Sequence, residues 1–63
     1  MSTQPNTGIQ LAELFLKNKP SLEEIKAEIA VLLNLAETFK DSDAGKMYHD
    51  AADCLTAFTR LNY

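Results

Sequence analysis

Apolar residues recur at a helical period along most of this chain. From residue 22 to residue 39 they are spaced alternately three and four positions apart, which is the spacing of one face of an α-helix. This stripe consists of Leu22, Ile25, Ile29, Leu32, Ala36 and Phe39. A shorter apolar segment precedes it, and a longer amphipathic one follows it. The pattern therefore predicts an all-α protein with helices at about 9–17, 22–40 and 44–60.

Helix-breaking and capping residues separate the three segments. Pro20 cannot continue a helix, and it biases Lys19 away from helical angles. The next four residues, SLEE, match a capping box, in which Ser21 accepts from the backbone N–H of Glu24 and Glu24 reaches back to that of Ser21. The second break, DSDAG, offers three consecutive residues that are competent N-caps. Because this link is short, we expect the second and third helices to form an antiparallel hairpin.

The N-terminal residues are polar and lack an apolar pattern. The sequence MSTQPNTG has neither the basic region nor the apolar region of a signal peptide, so we expect residues 1–8 to be a flexible tail and residues 9–63 to be one helical domain. The longest apolar run, IAVLL, has only five residues, far fewer than a membrane span needs. We therefore expect a cytoplasmic protein that does not enter the membrane.

The second helix has more apolar surface than one neighbour can cover. Leu33 and Leu35 flank the main stripe on opposite sides, and Val31 lies further round beyond Leu35. The apolar arc at mid-helix spans roughly 200° at 100° per residue, whereas one antiparallel neighbour covers only about half of that. Asn34 falls on the opposite side, where we expect it to be solvated.

The chain is too short for a large core. A domain of 63 residues buries only about 60% of its unfolded surface, and its core rarely supplies more than about 3–5 kcal/mol. Cys54 is the only cysteine, so no intrachain disulfide is possible. No group of cysteines and histidines has the spacing of structural zinc.

The surplus apolar arc and the small core together predict a homodimer with a four-helix core. The alternative is that the 9–17 helix folds back and covers the flank of the second helix within one chain. The residues that we expect at the contact between chains are Val31, Leu35, Leu32, Phe39, Met47 and Phe58.

Candidate chemistry is sparse. His49 and Asp53 share a helix face at i, i+4, a spacing that can hold a metal, and Asp50 lies beside them. A site would need further ligands from elsewhere, so a solvated face with an i, i+4 ion pair is the simpler interpretation. Cys54 falls within the apolar stripe of the third helix, where it would serve as a small buried apolar residue. The sequence thus predicts no catalytic, cofactor or metal site, and a protein that is not an enzyme.

The charge distribution disfavours nucleic acid as a partner. The chain has six Lys and Arg against nine Asp and Glu, for a net charge of −3. The basic residues are scattered, whereas nucleic-acid binders concentrate theirs in a patch. On the third helix Asp50 and Asp53 share the face of Lys46, His49 and Arg60, which also argues against a DNA-reading helix-turn-helix.

The run GIQLAELFLKNKPSLEEIKAEIAVLLNLAETFKDSDAGKMYHDAADCL resembles the small helical proteins encoded in the exo–xis region of lambdoid bacteriophages. This resemblance covers most of the chain and implies an early phage accessory protein in the host bacterial cytoplasm. Such a protein would act by binding a host or phage protein, with effects on host physiology and on the lysis–lysogeny balance. It implies no enzymatic activity and no assigned site residues.

Two further resemblances concern architecture. The RNA-binding plasmid copy-number regulators are also short chains that form dimers of helical hairpins, and YHDAADCL is similar to their second helix. Here, however, a helix ended by a proline precedes the hairpin. The small hairpin chaperones of type III secretion needles share the shape alone. An RNA-binding hairpin dimer and a small helical chaperone are therefore the alternative functions.

Overall fold

The computed structural model describes residues 7–63, which form three α-helices: α1 (Gly8–Leu16), α2 (Leu22–Thr38) and α3 (Asp43–Asn62). No strand occurs between residues 7 and 63. The all-α fold class and the three helical segments are confirmed, with ends that differ from the prediction by one or two residues.

The start of α1 differs from the predicted boundary of the N-terminal tail. The hydroxyl of Thr7 accepts a hydrogen bond from the backbone N–H of Gln10 at 3.1 Å, so Thr7 is the N-cap of α1. Gly8 is the first helical residue and is buried. Thr7 and Gly8 therefore belong to the helical domain, while the tail predicted for residues 1–6 lies outside the described part of the chain.

The break between α1 and α2 is a strained backbone position followed by proline. Lys19 has a φ of 51°, in the left-handed region that non-glycine residues adopt at a cost. Its backbone N–H donates to the carbonyl of Leu16 at 3.0 Å and so satisfies one of the last carbonyls of α1. The predicted departure of Lys19 from right-handed helical angles is confirmed.

The capping box at the start of α2 is present. The backbone N–H of Glu24 donates to the Ser21 hydroxyl at 3.3 Å, and the backbone N–H of Ser21 donates to a Glu24 carboxylate oxygen at 3.0 Å. At its other end α2 stops at Thr38, and Phe39 is the C-cap with a φ of −109°. Ser42 occupies the N-cap position of α3, but its hydroxyl donates to the carbonyl of Phe39 at 2.9 Å and accepts no hydrogen bond from a backbone N–H of α3.

The third helix is the centre of the fold. It packs against both α1 and α2, whereas no Cα atom of α1 lies within 8 Å of one in α2. The core consists of Ala12, Ile25, Leu32, Ala51, Ala52 and Leu55. Three of these six are alanines, and only Ile25 and Leu55 are large side chains that are fully buried. The core is therefore small, as the length of the chain led us to expect.

The apolar half of α3 is covered unevenly. Ala51, Ala52 and Leu55 are buried. Leu61, which the wheel of α3 places on the same half, is 85% exposed because it lies in the last turn, where neither α1 nor α2 covers it.

Candidate protein-interaction site

An uncovered apolar row runs along α2. Val31, Leu35 and Phe39 are each four residues apart, so they follow one another along the same side of the helix. Val31 is 51% exposed and Phe39 is 44% exposed, while Leu35 is half-buried. We call these three residues the α2 row. Exposure of this much apolar side chain on one line of a helix is typical of a surface that binds another protein.

A groove between α2 and α3 shows which side of the molecule the α2 row faces. Leu33 lies two residues from Val31 and so about 160° away round the helix. Leu33 and Gly45 line one groove between α2 and α3. Met47 lies two residues from Gly45, and so on the opposite side of α3. The α2 row and Met47 therefore face the same side of the molecule.

The first helix lies on this side but does not cover the α2 row. A Cβ atom on Gly8 would overlap that of Asp50 and would lie 2.6 Å from the carbonyl oxygen of Met47, so the start of α1 touches α3 directly. Because α1 packs on α3 and does not approach α2, the side chain of Val31 remains 51% exposed to solvent. Within one chain the first helix therefore leaves Val31 and Phe39 about half exposed.

The six residues that we expect at a contact between chains differ in how far they are exposed to solvent. Val31 and Phe39 are exposed, and Leu35, Met47 and Phe58 are half-buried. Leu32 is only 3% exposed in the core of its own chain. It has almost no surface left for a partner, because its place in the stripe of α2 points it at α3.

Two aromatic contacts involve residues that were expected at the contact between chains. The rings of Phe39 and Tyr48 are 6.1 Å apart at an angle of 42°, which ties the end of the α2 row to α3. The rings of Phe58 and Tyr63 are 6.5 Å apart in an edge-on arrangement. Phe39 and Tyr48 thus contact each other, but Phe39 remains 44% exposed.

A second surface, which sequence reasoning missed, is the groove between α2 and α3. It has a volume of about 470 Å³ and is lined by Leu33, Ala36, Glu37, Lys40, Gly45, Lys46 and His49. The available signal was the position of Leu33, which flanks the main stripe opposite Leu35 and is 46% exposed. The contribution from α3 depends on which side of α3 meets α2, and no local pattern encodes that.

The cluster of possible metal ligands lies on the outer face of α3. One ligand atom from each of His49, Asp50 and Asp53 falls within 4.8 Å of the others, and all three side chains are exposed. The Nδ1 atom of His49 lies 3.4 Å from a carboxylate oxygen of Asp53, which confirms the predicted i, i+4 pair. All three groups come from one helix face, and within residues 7–63 no second element brings the further ligand that a tetrahedral site requires.

Cys54 is half-buried and packs against the core. This placement agrees with the apolar role predicted from its stripe. Among residues 7–63 none of the buried side-chain polar atoms lacks a hydrogen-bond partner.

These features define a small all-α protein built on one central helix, with exposed apolar surfaces on two sides of the α2–α3 pair. None of the described helices is long and apolar enough to cross a membrane. No protein-family model, curated protein or solved structure matches this chain.

Proposed function

We propose that this chain is a non-enzymatic interaction protein that works as a homodimer. In this proposal α2 and α3 form an antiparallel hairpin, and the hairpins of two copies meet along the α2 row. The observation that supports it is that α1 packs on α3 and leaves the α2 row uncovered.

The small size of the core is a second observation that supports the proposed dimer. Within the described residues only two large side chains are fully buried, while fully burying a Val, Leu or Phe stabilises a protein by about 1.5–3 kcal/mol. Val31 and Phe39 are about half exposed, so a contact along the row would gain part of that amount for each. In a two-fold dimer every such contact occurs twice. None of the three residues of the row is charged, although Glu28 lies on the same side of α2, three residues before Val31.

The biological setting that we propose comes from the sequence resemblance. The similarity of residues 8–55 to the small exo–xis proteins of lambdoid phages supports an accessory or regulatory role in the host bacterial cytoplasm. The dimer would bind a host or phage protein and in this way influence host physiology and the lysis–lysogeny balance.

Sedimentation equilibrium with two matched variants tests the dimer. Val31→Glu places a charge in the α2 row, and Leu33→Glu places one on the opposite flank of the same helix. Both residues are about half exposed, so each monomer should tolerate the change. We expect wild type and Leu33→Glu to be dimeric at tens of micromolar and Val31→Glu to be monomeric. We also expect the melting temperature of wild type to rise with protein concentration, because association stabilises the folded state by mass action.

Two results would contradict this proposal in different ways. A monomeric wild type at tens of micromolar would show that the chain does not self-associate through any face. If wild type and both variants are dimeric and equally stable, the chain dimerises through another surface and the α2 row is the wrong one.

A further inference from the structure

The groove between α2 and α3 lies apart from the surface proposed for self-association. Leu33 in this groove and Val31 in the α2 row are on opposite sides of α2. The same holds on α3 for Gly45 in the groove and Met47 on the other side. A second copy bound to the α2 row therefore leaves the groove open, and a site there does not depend on the dimer.

The groove has an apolar wall. Leu33 is 46% exposed, and Ala36 beside it is half-buried. Both come from α2 and follow the helix axis. An apolar strip between two packed helices is the feature into which amphipathic helices bind, with their apolar side chains turned inward.

Lysine side chains from α3 and from the link that follows α2 border this apolar wall. Lys46 of α3 makes no ion pair with any residue in the described range. Lys40, in the link that follows α2, lies 3.9 Å from Glu37, and both side chains are largely exposed, so this pair contributes little to stability. Two of the six Lys and Arg residues of a chain with a net charge of −3 thus meet at one groove. Their arrangement complements carboxylates that flank an apolar stripe.

We propose that this groove binds an acidic amphipathic helix of a partner protein. Leucine-type side chains of that helix contact Leu33 and Ala36, and its carboxylates pair with Lys46 and Lys40. The helical segment that lines the groove, from Leu33 to Glu37, is about 6 Å long at 1.5 Å per residue, or about one helical turn. The volume of about 470 Å³ accommodates a few side chains of such a helix.

The same groove is poorly suited to nucleic acid. Glu37 lines it directly, and Asp53 lies 3.4 Å from His49 at its edge. A phosphate backbone in the groove would meet these carboxylates, and the apolar wall offers it no contact. An acidic protein helix would also meet Glu37, but the two lysines that line the groove outnumber this carboxylate, and the apolar side chains of the helix contact Leu33 and Ala36.

Two synthetic peptides provide the first test. The first is a capped helical peptide of about 15 residues with leucines on one face and glutamates beside them, and the second has lysine at every glutamate position. The protein has only two glycines, and Gly45 lines the groove while Gly8 lies against the other side of α3. In an NMR titration we expect the acidic peptide to shift the amide signals of Gly45 and Lys46 and to leave that of Gly8 in place. The lysine peptide should shift none of them.

Three variants test which residues of the protein contribute to binding of the acidic peptide. Lys46→Glu reverses an exposed charge, so it should leave the fold intact by circular dichroism and weaken binding of the acidic peptide by about tenfold or more at low salt. Leu33→Glu should abolish binding, and Val31→Glu should leave the affinity unchanged. If the acidic peptide produces no saturable shift of Gly45, or if Lys46→Glu binds it as tightly as wild type, the proposal is wrong. It is equally wrong if a hairpin RNA shifts these signals and the peptide does not, because the groove then binds phosphate.

Discussion

Gly45 in the first turn of α3 packs directly against the carbonyl group of Phe39, the C-cap residue that follows α2. A Cβ atom at position 45 would overlap the carbonyl oxygen and would lie 2.7 Å from the carbonyl carbon. The start of α3 therefore rests on the end of α2 across the short link formed by residues 39–42. A side chain at position 45 would push the two helices apart at the point where the chain turns.

Gly45→Ala should therefore destabilise the protein, although alanine favours a helix over glycine by about 1 kcal/mol. We expect a loss of about 1–3 kcal/mol in the free energy of unfolding, because the backbone of Phe39 must shift to admit a methyl group. Urea unfolding followed by circular dichroism measures it. Ala57→Gly, at an exposed position of the same helix, is the matched control and should cost about 1 kcal/mol. A Gly45→Ala variant more stable than wild type would show that this contact does not form in solution.

Ser21→Ala should cost about 1 kcal/mol of stability, because it leaves the backbone N–H of Glu24 without its acceptor. Chemical denaturation measures this difference in the free energy of unfolding. The dependence of that free energy on denaturant concentration should be the same for both proteins. Ser42→Ala is the control, since Ser42 occupies the same position before α3 but its hydroxyl caps no backbone N–H. An unchanged unfolding midpoint for Ser21→Ala would contradict a helix that starts at Leu22.

The carboxylate of Glu24 should make stability depend on pH. Its pKa is lowered, chiefly by the hydrogen bond from the backbone N–H of Ser21 and next by that from the Ser21 hydroxyl. A carboxylate with a lowered folded pKa stabilises the protein above its unfolded pKa of about 4.3, and this contribution is lost as the pH falls through the folded pKa.

Glu24→Ala should thus be less stable than wild type at neutral pH, and the difference should shrink as the solution is acidified below that range. NMR titration of the side-chain carboxyl carbons reports the pKa itself. In Ser21→Ala the pKa of Glu24 should rise only in part, because the backbone N–H of Ser21 remains. A wild-type Glu24 that titrates at its ordinary value would show that the capping box is not populated.

His49 and Asp53 should not bind a transition metal tightly enough to affect folding. Their ligand atoms and that of Asp50 come from a single exposed helix face, and a stable zinc site needs ligands fixed from more than one direction. We expect the melting temperature to be unchanged by zinc or nickel. A saturable rise of several degrees that disappears in His49→Ala would establish a metal site instead.

The sequence by itself determined the helices and most of their ends. Pro20 and the Ser21–Glu24 capping box fix the start of α2 at Leu22, as predicted, because a cap acts through hydrogen bonds within four residues. The predicted ends at residues 17, 40 and 60 differ from the observed ends at 16, 38 and 62. Terminal turns are decided by weak local preferences. The exposure of Asn34 and the pairing of His49 with Asp53 also followed from helical spacing alone.

Only the tertiary structure decided which faces meet. The first helix is apolar on most sides, and Ile9 and Leu14 remain 57% and 52% exposed after it packs, so its pattern did not select α3 over α2. That choice depends on close approach between distant residues, such as Gly8 against Asp50. The same packing placed Leu32 in the core of its own chain and left Val31 open to solvent. Periodicity shows that a helix has an apolar face, but the fit of side chains across the interface determines which neighbour covers it.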